Sequence, residues 1–87
     1  MYISELVWDA WNEEHIANQG VEAEEVEQVI LNEYFATRAR SGKYRLIGRT
    51  DTGRYLAVIL GSRGGGIFYV VTARDATHGE RRLYGRR

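Results

Sequence analysis

The chain has 87 residues and no cysteine or proline, a length that supports one domain, residues 1–87, with a modest core and excludes disulfides, thiolate nucleophiles and cysteine metal sites. Its apolar fraction of 44% is that of a folded soluble chain, and the longest apolar run, Leu56 to Leu60, is far too short to span a bilayer. The net charge of zero hides a partition: residues 1–37 hold nine acids and no Lys or Arg, whereas residues 38–87 hold all twelve bases, eleven of them Arg, with only Asp51, Asp75 and Glu80 against them.

Met1 to Trp8 alternates weakly and fits a short first strand. Asp9 reads as a helix N-cap, followed by a helix over Trp11–Gln19 that Gly20 stops. Glu22–Asn32 reads as a second helix, with Val26, Val29 and Ile30 on one face and Glu24 and Glu25 in the first turn, where the helix dipole favours acids. The period then changes, and Thr37–Arg40, Tyr44–Thr50, Arg54–Gly61 and Ile67–Arg74 read as four strands. Ser41-Gly42 and Asp51-Thr52-Gly53 supply tight turns, and Ser62 to Gly66 a longer glycine-rich one. The Tyr55–Leu60 segment is apolar on both faces, as a central strand covered on both sides would be. Thr77-His-Gly-Glu80 has the capping-box pattern, opening a last helix from Glu80 to about Gly85. The expected fold is α+β: an antiparallel meander of about four strands plus a short N-terminal strand, two N-terminal helices and a short C-terminal helix.

Arginine presents a planar fork of donors that matches phosphate, so a basic half on a neutral chain is compatible with a nucleic-acid partner. Strand alternation puts Arg38 and Arg40 on one face of their strand and Arg45 and Arg49 on one face of the next. It sets Arg74 on the side opposite Tyr69 and Val71. With Arg81 and Arg82 of the last helix these make a cationic groove where sheet and helix meet. The plainer reading is a set of solvated charges, partly neutralised by the acidic helices. His15, one turn after Trp11, and His78, in the last helix cap, can titrate near neutrality and act as acid or base. Their plainer readings are a ring packed on Trp11 and an exposed loop residue. Tyr84 can donate a proton, stack on a base or simply dock its helix. The glycine-rich Gly61–Gly66 segment lacks the Lys-Ser/Thr of a phosphate-binding loop and joins two strands, so it reads as a hairpin tip. No metal-ligand spacing and no cofactor motif is present. The acidic start lacks the basic residues of a secretory signal, so a cytoplasmic location is expected.

Several motifs then converge. Trp8-Asp9, Asn12-x-x-His15-Ile16 and Gly20-Val21 before an acidic helix resemble the N-terminal half of the BrnT toxin family. Ile47-Gly48-Arg49-Thr50, Gly53-Arg54-Tyr55-Leu56, Val71-Thr-Ala-Arg-Asp-Ala-Thr77 and Glu80-Arg-Arg-x-Tyr84 resemble its second half. The chain departs from that pattern at Glu13, Glu14 and Gln19, as a divergent member would. The resemblance implies a RelE-like fold, a ribonuclease toxin of a type II toxin–antitoxin pair, RNA as substrate, and an antitoxin of ribbon-helix-helix type as partner.

Metal-independent RNA cleavage needs a base for the ribose 2′-hydroxyl, cations around the phosphorane and an acid for the 5′-oxygen. On this expectation Arg74 and Arg81 stabilise the phosphate, and Arg49 and Arg54 position the strand, with Arg38, Arg40, Arg45 and Arg82 completing an RNA-binding surface. His15 or Glu80 is the base, and Tyr84 or His78 the acid; Glu80 has a competing role as capping partner of Thr77. The alternative is a non-catalytic module that binds RNA or an acidic protein segment. The charge asymmetry also allows head-to-tail self-association.

Overall fold

The computed structural model describes residues 1–87. The elements run β1 Glu5–Val7, α1 Ala10–Ala17, α2 Ala23–Leu31, β2 Tyr34–Arg38, β3 Tyr44–Arg49, β4 Tyr55–Ser62, β5 Ile67–Asp75 and α3 His78–Gly85. Strands β2 to β5 form an antiparallel meander, and β1 adds to its end parallel to β5, giving the order β1-β5-β4-β3-β2. The α+β class and the meander agree with the sequence reading.

Local chemistry sets the helix starts. Asp9 caps α1 by accepting from the Asn12 amide, while the Asn12 side chain accepts from the Asp9 amide. Asn12 is fully buried, and its amide group donates to the carbonyls of Val7 and Val70, both at 3.0 Å. One polar side chain thereby ties α1 to β1 and β5. Thr77 and Glu80 form the expected capping box, but the last helix begins at His78, two residues before the expected start. Helices α1 and α2 are likewise offset by one or two residues from the expected spans.

The core lies between α1, α2 and one face of the sheet. Ile16, Val21, Val26 and Val29 meet Leu46, Leu56, Val58, Leu60, Phe68 and Val70 there. Each such side chain stabilises the fold by about 1.5–3 kcal/mol. On the opposite face Ile47 and Ala57 are also fully buried, and α3 packs from that side on β3 and β2. Strand β4 therefore sits centrally with apolar residues on both faces, as its composition requires.

Two expectations are corrected. The first meander strand is Tyr34–Arg38, not Thr37–Arg40, because Tyr34 and Phe35 pair with Gly48 and Ile47, and the chain then reverses through a 3₁₀ turn, Arg40–Gly42. Ser41 and Gly42 both take positive φ in that turn, so Arg40 leaves the strand and shares no face with Arg38. The second correction is in β5. An irregularity in its pairing with β4 leaves Val71 without a partner, so Tyr69 faces Gly61 while Arg74 faces Ala57. The extra residue inverts the alternation and brings Tyr69 and Arg74 onto the same face. No helix is long and apolar enough to cross a membrane.

Candidate functional site

Cross-strand register places Arg45, Ile47 and Arg49 of β3 beside Ile59, Ala57 and Tyr55 of β4, and Ala57 beside Arg74 of β5. These side chains share the face covered by α3. Sequence alternation thus correctly groups Arg45 with Arg49, and the structure adds Arg74 to them.

The arginines of this face fall into two sets. Arg74 donates from both terminal nitrogens to Glu80, at 2.7 and 3.0 Å, and Arg45 donates to the same carboxylate at 3.2 Å. The Thr77 amide adds a bond of 2.9 Å. Glu80 is only 5% exposed, and its pKa is held at about 2, mainly by the Arg74 hydrogen bonds acting against burial. A carboxylate so engaged is a poor proton acceptor at neutral pH. Arg45 and Arg74 are thus both engaged by this one carboxylate, and its hydrogen bonds raise the Arg74 pKa.

Arg49 and Arg81 form the second set, and neither takes part in an ion pair. Both lie against the ring of Tyr55, Arg49 at 4.8 Å and Arg81 at 4.4 Å from its centroid. Tyr84 of α3 meets the same ring edge-on at 5.7 Å. Such stacking orients a guanidinium and contributes about 0.5–2 kcal/mol per pair; Arg49 also donates from Nε to the Gly53 carbonyl at 3.4 Å, which leaves its terminal nitrogens without a partner. An open cleft of about 620 Å³ runs past these groups, lined also by Gly53, Arg54, Asp75 and Ala76. A second recess of about 590 Å³ shares Arg49 and Gly53 with it and reaches Asn32, Asp51 and Tyr84.

The other candidate residues are dispersed. Arg54 pairs with Asp75 at 2.9 Å and Glu25 at 3.0 Å and donates to the Gly20 carbonyl at 2.8 Å, so it clamps the acidic helix region to the sheet. The Asp75 hydrogen bond leads in raising its pKa. Arg38 stacks on Tyr44 at 5.2 Å, and Arg40 is exposed in the turn. Arg82 is exposed on α3, as is His78 in its first turn. His78, Arg81 and Arg82, three and four residues apart, share one side of that helix. Tyr84 is buried and its hydroxyl donates to the Glu33 carbonyl at 3.3 Å, which makes it a docking residue. His15 stacks in parallel on Trp11, with centroids 5.1 Å apart, on α1. Helix α1 packs on the opposite face of the sheet, so His15 does not join the arginine cleft. No cluster of three or more His, Asp or Glu side chains has metal-binding spacing.

Tyr55 is the residue that sequence reasoning missed. The available signal was the hairpin turn Asp51-Thr52-Gly53, which sets Tyr55 directly across from Arg49.

No family profile matches the sequence, and no curated protein does. The crystal structure of the Brucella abortus ribonuclease toxin BrnT matches with a TM-score of 0.69 and 21% identity, over 85% of this chain and 97% of that one. The chain has the fold of that toxin, as the resemblance of its motifs implied.

Proposed function

We propose that the chain is a ribonuclease toxin of a toxin–antitoxin pair and that it acts on RNA in the Arg49–Tyr55–Arg81 cleft. The observation that carries this reading is Tyr55 held against two guanidiniums that lack counter-carboxylates, in an open cleft of a fold shared with a ribonuclease toxin. Two unpaired arginines held by one ring suit a phosphodiester, because each can grip non-bridging oxygens and both meet the charge that grows on the phosphorane.

In the proposed reaction the ribose 2′-oxygen attacks the adjacent phosphorus and its proton leaves to solvent. The bond from phosphorus to the 5′-oxygen breaks, leaving a 2′,3′-cyclic phosphate. His78 supplies the proton that the departing 5′-oxygen needs, from the side of α3 that also carries Arg81 and Arg82. Arg82, on the same helix as Arg81, extends the cationic path for flanking phosphates. Arg74 and Glu80 act through α3 as positioning residues, since their mutual bonds hold that helix on the sheet. The positive charge of the cleft comes from arginine, which supports a reaction without metal. The partner on this reading is an antitoxin, of ribbon-helix-helix type by the family resemblance, and the site of action is the cytoplasm.

The test is induction in a bacterium beside an Arg49→Ala/Arg81→Ala control. Growth arrest with fragmented total RNA, absent from the soluble control, is the expected result. Intact RNA in cells full of soluble, folded protein would reduce the reading to a non-catalytic binding module.

A further inference from the structure

The charge partition of the sequence becomes a polarity of the folded molecule. Helices α1 and α2 cover one face of the sheet, and their outer sides expose Glu13, Glu14, Glu22, Glu24 and Glu27. Helix α3 packs on the other face, and it exposes Arg81 and Arg82, with Arg86 exposed at its C-cap. The sheet separates the two layers, so these charges cannot neutralise one another within one molecule. The ion pairs that do cross between the halves, Arg54 with Glu25 and Arg87 with Glu33, involve none of these exposed groups. The acidic layer also carries an anchor: Trp11 is 63% exposed and stacks on the His15 ring. An exposed Trp among carboxylates suits an incoming guanidinium, which can stack on the indole while it bonds to the acids.

We infer that the occupant of the acidic α1–α2 face is a second copy of this chain, docked through the arginines of its α3. Both complementary surfaces are present on the same molecule, on opposite sides. A twofold dimer would set like charge against like, so the contact is head-to-tail and leaves one unused face at each end. It buries Arg81, so the assembled form covers the arginine cleft. The contact is electrostatic and therefore depends on salt: charges act over about 30 Å at 0.01 M and about 3 Å at 1 M. This inference does not depend on the chain cleaving RNA.

Sedimentation velocity on the full chain tests it, with no nucleic acid present. At about 0.01 M salt the weight-average mass should climb with concentration past roughly twice the 10.0 kDa of one chain, and at about 1 M it should fall to the monomer. Two variants fix the geometry. One lacks the acidic face (Trp11→Ala/Glu13→Gln/Glu14→Gln), the other the basic face (Arg81→Gln/Arg82→Gln/Arg86→Gln). All these positions are exposed, so both variants should keep the wild-type circular dichroism. Each should be monomeric alone, and their mixture should form a one-to-one dimer that grows no further, because each supplies the face the other lacks. A wild-type monomer at every concentration in low salt would overturn the inference. So would a salt-insensitive dimer, or a mixture that stays monomeric.

Discussion

Replacing Glu80 by Gln keeps the shape of the side chain and removes the one negative charge shared by Arg74 and Arg45. The effect on stability can be worked from its titration. In the folded chain the pKa falls from the ordinary 4.5 to about 2. At about 1.4 kcal/mol for each pKa step, that difference contributes about 3 kcal/mol of folding stability when the group is charged in both states. The sign follows from the depressed folded value: the contribution is complete above pH 4.5 and disappears as the pH falls from there through about 2. Breaking a buried pair by removing one partner independently suggests a loss of about 3–5 kcal/mol. Urea unfolding of the wild type and Glu80→Gln across this range is the assay. The variant should be about 3 kcal/mol less stable at pH 7, and the gap should close as the pH falls through about 2, where the folded wild-type carboxylate takes up its proton. Titration of the other acids cancels in the difference. A gap below about 1 kcal/mol at pH 7, or one that does not change with pH, would refute the assignment of Glu80 as the anchor of α3.

Asn12→Ala removes three hydrogen bonds of a buried side chain, to Asp9, Val7 and Val70, and should cost about 3 kcal/mol in urea unfolding with little effect on the far-UV spectrum. Gly48→Ala would set a methyl group 2.9 Å from Val29 Cγ1 and 3.2 Å from the Glu33 carbonyl; overpacking of about 1–3 kcal/mol should lower the melting temperature by several degrees. His78→Ala should reduce RNA cleavage by about 10²–10⁴, whereas His15→Ala, across the sheet, should leave the rate within about threefold.

Local signals carried most of the fold. The Asp9 cap, the Thr77–Glu80 box and the Gly53 turn stand where their chemistry requires, because each involves residues no more than four apart. Strand β2 and the far half of β5 were misread for non-local reasons. Tyr34 and Phe35 join the sheet because β3 offers them partners, and the irregularity at Val71 exists only in the pairing with β4. The candidate site was legible as an arginine-rich face but not as a division of labour. Glu80 was visible as a cap, yet nothing in its sequence neighbourhood shows Arg45, thirty-five residues away, sharing its carboxylate. That sharing ties up the donors of two of the arginines and leaves Arg49 and Arg81 without a carboxylate. Tyr55 reads as one more strand aromatic until the register with Arg49 and the docking of α3 bring the two guanidiniums to its ring.

The most direct test of the central claim is cleavage of a labelled RNA by the purified chain in the presence of a metal chelator, with Arg49→Ala and Arg81→Ala measured beside it. The account predicts products ending in a 2′,3′-cyclic phosphate, and a rate loss of about 10²–10³ for each folded variant. Cleavage that vanishes with the chelator, or that both folded variants perform at the wild-type rate, would contradict it.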